Sequence, residues 1–299
     1  MIMEQTVTMG EKPTILIVDD TKENISILLS LLDKYDLLVA LNGKKALKLV
    51  GKNEIDLILL DIMMPEMDGY EVCRILKSNP DTKDIPILFI TAKTDEDSIE
   101  KAYDAGGVDY VTKPFKPKEL TSRIKTHLKM HRMLKSLEFF ATRDFMTGIY
   151  NRRKFFELGS ELFDKSDKLF AVMMDIDKFK LINDNYGHPF GDSVIKSVTK
   201  TISQNIWDGS IFGRLGGEEF AILCEADSME EVRQRIESIR KLIEHSEEKY
   251  KNEVVKFTIS NGIAQKRLNN DTIDKLLKRA DDALYEAKGT GRNRVCFRS

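Results

Sequence analysis

Arg214-Leu215-Gly216-Gly217-Glu218-Glu219-Phe220 lies between two apolar runs, 210–214 and 220–224. Paired glycines permit a tight hairpin and allow backbone to approach a phosphate closely. Two glutamates follow at once. The pattern predicts two antiparallel strands joined at Gly216-Gly217. Further strand-like runs at 169–174, 254–263 and 294–297 are separated by helical segments. The chain after Asp144 therefore reads as an α+β arrangement with antiparallel pairing.

In Met173-Met174-Asp175-Ile176-Asp177-Lys178-Phe179-Lys180 an acid ends an apolar strand and a helix follows, whose first amides can bind an anion. If this strand neighbours the hairpin, Asp175 meets a glutamate across the sheet. That geometry suits one or two Mg2+ ions holding a triphosphate for displacement at phosphorus. Alone, a Gly-Gly-Glu-Glu string reads as a plain surface turn.

Before Asp144 the pattern differs. Short apolar runs at 14–18, 37–41, 55–60, 87–90 and 110–112 alternate with amphipathic segments. Such a chain forms a parallel sheet covered on both faces, with its ligand site at the carboxyl ends of the strands. Those ends carry Asp19-Asp20, Asp61, Thr91 and Lys113. Three crowded carboxylates call for a divalent cation, and Mg2+ suits oxygen donors. A carboxylate nucleophile, a hydroxyl and an ammonium beside that cation make a phosphoryl-acceptor site. Each residue taken singly has a bland reading: Asp20 as a helix cap, Thr91 as a strand end, Lys113 as a loop charge.

Residues 118–141 read as one helix without Gly or Pro. Leu120, Ile124 and Leu128, then Met130, Leu134, Leu137 and Ala141, give stripes spaced at three and four, so the helix links the two halves. Its basic residues, Arg123, Lys125, Lys129, Arg132 and Lys135, read as a solvated face. His127 and His131 lack a third ligand nearby.

Composition sets bounds on the whole. A chain of 299 residues predicts two domains. With 47 Lys plus Arg against 49 Asp plus Glu, the net charge of −2 excludes a global field for nucleic acid. Three scattered cysteines, Cys73, Cys224 and Cys296, fit a reducing compartment. No run approaches the roughly 18 apolar residues of a membrane span, and no signal peptide precedes Pro13, so a soluble, cytoplasmic protein without membrane partners is expected.

The first half resembles the receiver domain of two-component response regulators. The match rests on Ile15-Leu16-Ile17-Val18-Asp19-Asp20, Leu59-Leu60-Asp61-Ile62-Met63-Met64-Pro65 running to Asp68-Gly69, Ile90-Thr91-Ala92, and Tyr110-Val111-Thr112-Lys113-Pro114-Phe115. The resemblance implies a flavodoxin-like, doubly wound sheet of five parallel strands over residues 13–128, after a flexible N-terminus at 1–12. It makes Asp61 the phospho-acceptor, with Asp19, Asp20, Asp61 and the Met63 carbonyl holding Mg2+. Thr91 and Lys113 would contact the phosphate and Tyr110 would reorient. A histidine kinase or phosphotransfer protein is the implied partner.

The second half resembles the GGDEF family of diguanylate cyclases. The match runs from Asp144-Phe145-Met146-Thr147-Gly148-Ile149-Tyr150-Asn151-Arg152-Arg153 through the Asp175 segment, Asn183-Asp184, Gly187-His188, Gly191-Asp192 and the glycine hairpin. It closes with Ala280-Asp281, Ala283-Leu284-Tyr285, Ala287-Lys288 and Gly291-Arg292-Asn293. The resemblance implies a palm-like domain with a ferredoxin-like antiparallel core over residues 142–299, binding GTP. Asp175, Glu218, Glu219 and the Ile176 carbonyl then map to Mg2+ ligands, with Mn2+ as an alternative ion. Glu218 would also assist deprotonation of the ribose 3′-hydroxyl. Asn183 and Asp192 map to guanine, and Lys288 and Arg292, read as four apart at a helix end, map to the terminal phosphates. Phe179, Lys180, Gly216 and Gly217 complete the substrate set.

Cyclic di-GMP contains two symmetric 3′-to-5′ links, so the resemblance implies a homodimer that joins two GTP and releases two pyrophosphates. One departure stands out. Where many relatives carry Arg-x-x-Asp, a product-inhibition site, this chain has Trp207-Asp208-Gly209-Ser210. A catalytically inactive domain that senses GTP or a partner is the alternative reading.

Overall fold

The computed structural model describes residues 12–92, 96–251, 253–267 and 271–298. The flexible segment expected at 1–12 falls, but for Lys12, outside them. Five short β-branched and leucine-rich runs form parallel strands: β1 (Thr14–Val18), β2 (Asp36–Ala40), β3 (Leu57–Asp61), β4 (Ile87–Thr91) and β5 (Asp109–Thr112), in the order β2-β1-β3-β4-β5. The helices between them are α1 (Lys22–Leu31), α2 (Gly43–Val50), α3 (Gly69–Ser78) and α4 (Glu96–Asp104). Every residue of β3 and β4 is buried, as in a sheet covered on both faces.

Side chains alternate between the two faces. Leu16, Val18, Ile58, Leu60 and Phe89 join Val72, Cys73 and Leu76 of α3. Ile15, Ile17, Leu57, Leu59, Leu88 and Ile90 join Ile25 and Leu28 of α1 and the start of α5 (Pro117–Thr142). Asp68 starts α3 with a capping box, accepting from Glu71 N while Glu71 reaches back to the Asp68 amide. A Cβ on Gly69 would collide with the Asp61 carbonyl oxygen, so glycine lets α3 begin directly beneath the acidic end of β3.

The chain divides into two compact units between Leu137 and Glu138, within α5. On that helix Leu120, Ile124, Leu128 and His131 are buried, whereas Met130, Leu134 and Leu137 are each more than half exposed.

After α5 come β6 (Tyr150–Asn151), α6 (Arg152–Lys165), β7 (Leu169–Ile176), α7 (Phe179–Tyr186), α8 (His188–Ser203), β8 (Ile211–Arg214) and β9 (Glu219–Glu225). They are followed by α9 (Met229–Glu244), β10 (Glu248–Tyr250), β11 (Glu253–Val255), β12 (Ile259–Gln265), α10 (Ile273–Gly289) and β13 (Val295–Arg298). Six strands order as β13-β12-β7-β9-β8-β6. The central four are antiparallel, and the outer pairs β12–β13 and β6–β8 are parallel. The core is thus antiparallel, as expected, within a mixed sheet.

All eight residues of β7 are buried. Phe170, Val172, Met174 and Ile176 pack with residues of α7, α8 and α9, while Leu169, Ala171 and Met173 pack with those of α6 and α10. The apolar run 254–263, read as one strand, is two. Val255 ends a separate two-stranded hairpin, and the main sheet begins at Ile259. Between them the Thr258 carbonyl accepts from Asp177 N at 2.9 Å, and Thr258 Oγ1 donates to the Asp177 carboxylate at 2.6 Å. Those bonds tie Thr258 to the loop after β7 just before the ladder of β12 begins.

Two candidate functional sites

In the first unit, β1 and β3 deliver Asp19, Asp20 and Asp61 so that one carboxylate oxygen of each lies within 4.8 Å of the others. Lys113, which follows β5, donates from Nζ to Asp19 Oδ2 at 2.9 Å and to Asp61 Oδ2 at 2.7 Å. Asn24 on α1 donates to both Asp19 oxygens. Burial pushes the Asp61 carboxyl up; Lys113 opposes that, and the charge of Asp19 adds to it. Three hard oxygen donors around one point fit a divalent cation of the Mg2+ class.

The other predicted residues lie around this cluster. Thr91 is buried at the end of β4, and Met63, largely exposed, donates its amide to Asp61 Oδ1 at 3.4 Å. Tyr110 is half-buried and meets Tyr103 edge-on at 6.4 Å. His127 Nε2 lies 3.1 Å from Asp109 Oδ2, and His131 Nε2 is buried without a partner.

In the second unit the strand register places Asp175 directly opposite Glu219. The amide of Ile176 donates to the Glu218 carbonyl at 3.3 Å, drawing the hairpin onto the end of β7. Lys288, in the last turn of α10, reaches Asp175 Oδ2 at 2.7 Å. Burial pushes Asp175 up to about 6; Lys288 lowers it, and Glu218 and Glu219 raise it. Among the described residues, these three acids do not close to the spacing of the Asp19 cluster. Carboxylates whose mutual repulsion raises a pKa are nonetheless suited to share a cation.

The hairpin itself is clamped. Arg214 donates from Nε and Nη2 to the Gly217 carbonyl at 2.9 and 2.7 Å, and from Nη1 to Asp144 Oδ1 at 3.0 Å. Asp144 also accepts from the Thr147 amide and hydroxyl. The segment that leaves α5 is thereby bonded to the turn carrying the glutamates.

Phe179 is buried at the start of α7, after Lys178 in a left-handed conformation, and Lys180 is exposed. Asn183 Oδ1 is buried without a hydrogen bond. A Cβ on Gly191 would overlap that oxygen, so glycine lets α8 come close to Asn183 one residue before Asp192. Lys288 is helical, but Arg292 is not: α10 ends at Gly289, and Arg292 stands beyond it at a φ of 65°. The helix-end spacing expected for the two cations gives way to a left-handed turn, because Gly291 at a φ of 125° cannot continue the helix.

Sequence reasoning passed over two arrangements. Asp177 accepts hydrogen bonds from Thr258 Oγ1, Ser260 Oγ and Asn293 N, 81, 83 and 116 residues away. Arg214 and Asp144 are 70 residues apart. No local spacing encodes either; a second acid two residues after Asp175 was the available signal.

Residues 141–294 match the family described as diguanylate cyclase, GGDEF domain. The chain belongs to that family. Residues 15–125 match the response regulator receiver domain. The response regulator PleD of Caulobacter vibrioides is 30% identical over 295 residues, covering 94% of this chain and 65% of PleD. Diguanylate cyclase VdcA of Vibrio cholerae is 38% identical over 170 residues, 56% of this chain and 50% of VdcA. The chain thus spans half to about two-thirds of the length of these curated relatives. Among solved structures, the coiled coil and GGDEF domain of DgcB from Caulobacter crescentus, in complex with c-di-GMP, is similar with a TM-score of 0.55. It shares 26% identity and covers 60% of this chain and 98% of that one. Among the described residues no helix is long and apolar enough to cross a membrane.

Proposed function

We propose that this GGDEF protein is a diguanylate cyclase whose activity is set by phosphorylation of Asp61. The observation that carries the reading is the pairing of Asp175 with Glu219 across β7 and β9, with Lys288 on the same carboxylate. Asp175, Glu218, Glu219 and the Ile176 carbonyl would hold Mg2+. When bound, such a cation supplies charge neutralisation at the α-phosphate and at the leaving pyrophosphate.

The chain's own groups do the rest. Asn183 and Asp192 select guanine, because a carboxylate accepts from the N1 and N2 donors that adenine lacks. Phe179, Lys180, Gly216 and Gly217 bring backbone close to the phosphates, and Lys288 and Arg292 hold the terminal ones. Glu218 assists loss of the 3′-hydroxyl proton. In each of two reactions the 3′-oxygen attacks the α-phosphorus of the other GTP, the bond from that phosphorus to the bridging oxygen of the β-phosphate breaks, and pyrophosphate leaves. Two facing copies are needed, which makes the active form a two-fold dimer.

For the receiver unit, Asp61 accepts the phosphoryl group from a histidine kinase or phosphotransfer protein, with Asp19, Asp20 and the Met63 carbonyl around Mg2+. Thr91, Lys113 and Tyr110 respond to the added charge. The domain limits that fit this reading are 13–128 and 142–299, joined by the helix at 118–141. Trp207-Asp208-Gly209-Ser210 leaves the chain without the usual Arg-x-x-Asp inhibitory site. Incubation with GTP and Mg2+, with and without acetyl phosphate, tests the reading: cyclic di-GMP should form, and more of it with the donor.

A further inference from the structure

Gly291, Arg292 and Asn293 have φ angles of 125°, 65° and 47°. Two non-glycine residues in the left-handed region in succession persist only where their surroundings over-determine the backbone. Here they do. Arg292 N donates to the Ala287 carbonyl at 2.9 Å, and Asn293 N donates to Asp177 Oδ2 at 3.0 Å. The Asn293 side chain is held by α9: Nδ2 donates to Glu244 Oε1 at 2.6 Å, and Oδ1 accepts from Arg240 Nη1. Arg240 is 7% exposed and is itself fixed by Glu237 and Glu244.

Asp177 is the other wall. It is 7% exposed, and Thr258 and Ser260 hydroxyls each donate to it at 2.6 Å. Between these walls, no hydrogen bond or ion pair among the described residues engages the Arg292 guanidinium. The backbone is pinned on both sides and the charged head is free.

We propose that Asp177 and Asn293 are positioning residues that hold Arg292 in place for the terminal phosphates of GTP. The proposal rests on the reading of Arg292 as a phosphate-binding residue. Asp177 stands two residues after Asp175, so a single carboxylate links the acidic end of β7 to the arm bearing Arg292. The spacing between the two is then fixed before substrate arrives, as in-line displacement at phosphorus requires.

Asn293→Gly is the informative variant, because glycine accepts a φ of 47° and keeps the amide to Asp177 while deleting the side chain. Affinities of the full chain for a non-hydrolysable GTP analogue and for GMP are measured with Mg2+, together with kcat and the melting temperature. The variant should weaken the analogue about tenfold, leave GMP within about twofold and lower kcat at saturation by less than about threefold. Added to Arg292→Ala, it should cause no further loss. Asp177→Asn should show the same selectivity for the triphosphate. Unchanged affinity for the analogue in Asn293→Gly, equal weakening of GMP, or a full additional loss in the Arg292→Ala background would overturn the proposal. Arg292→Ala binding the analogue as tightly as the native chain would instead remove the phosphate reading of Arg292, and the proposal with it.

Discussion

Lys288 Nζ lies 2.7 Å from Asp175 Oδ2, so the cation read as a phosphate contact is also the counter-charge of the buried acid at the end of β7. Burial still lifts Asp175 to about 6, with Glu218 and Glu219 adding to the rise. A carboxyl raised above its unfolded value contributes stability that is full below about pH 4 and lost as pH rises through about 6. In chelator, Asp175→Asn should therefore melt higher than the native chain at pH 7 to 8. A gain of roughly 2–4 °C corresponds to about 1 kcal/mol in a domain of this size. The gap should close as pH falls from about 6 to about 4. Melting curves across that range check it, and a gap independent of pH would contradict the assignment.

The clamp of Arg214 on the Gly217 carbonyl and on Asp144 predicts a coupled loss. Arg214→Ala frees the hairpin tip, and kcat should drop by about 10- to 100-fold, since misplacement of about 1 Å costs catalysis on that scale. Asp144→Ala should lower kcat less, and the double variant should be no worse than Arg214→Ala alone. Additive losses in a double-mutant cycle would show that the two residues act separately.

On the proposed reading of Asn183 as a guanine contact, substitutions at Gly191 and Gly262 should separate nucleotide binding from folding. A Cβ at Gly191 meets the Asn183 side chain, whereas at Gly262 it meets the backbone of Ala280 and Leu284 on α10. Gly191→Ala should weaken guanine nucleotide binding with a modest change in melting temperature. Gly262→Ala should destabilise by about 1–3 kcal/mol, because the helix backbone cannot yield as a side chain does. Thermal melts and nucleotide titration distinguish the two.

Lys113 Nζ lies 2.7 Å from Asp61 Oδ2, and the proposed reading of Asp61 as phospho-acceptor gives the two residues separable effects. Asp61→Asn should abolish labelling by acetyl phosphate, and Lys113→Ala should leave labelling possible while blunting the rise in cyclase rate. Persistent labelling of Asp61→Asn would place the acceptor elsewhere.

Trp207 donates from Nε1 to Glu231 at 3.1 Å, and the Arg235 guanidinium lies 5.1 Å from its ring, so local side chains already engage this surface. Product at micromolar concentration should not inhibit through residues 207–210. Inhibition that disappears on changing Trp207 or Asp208 would contradict this.

Much of the fold and of the acidic sites is legible in the sequence. Apolar runs ending in Asp19, Asp61 and Thr91 announced a parallel sheet with an acidic edge, because fully buried strands need continuous hydrophobicity. The hairpin was legible from Gly216-Gly217 and its flanking runs. What escaped has one physical cause: side-chain bonds across long sequence separations leave no period. Asp177 with Thr258, Ser260 and Asn293, and Arg214 with Asp144, appear only once the sheet brings them together. The break at residues 256–258 escaped because Phe257 is buried and reads as strand, although the main sheet begins only at Ile259. The four-residue spacing of Lys288 and Arg292 marks a helix end but does not encode the left-handed turn that carries Arg292 beyond Gly289.

The most direct test of the central claim is product analysis of the purified chain incubated with Mg2+ and GTP, alongside Asp175→Ala and Glu218→Ala. The native chain should yield cyclic di-GMP and pyrophosphate in a one-to-two ratio, faster with acetyl phosphate, with both variants reduced by about 10²-fold or more. GTP left unchanged by the native chain, with and without the phosphoryl donor, would contradict the assignment.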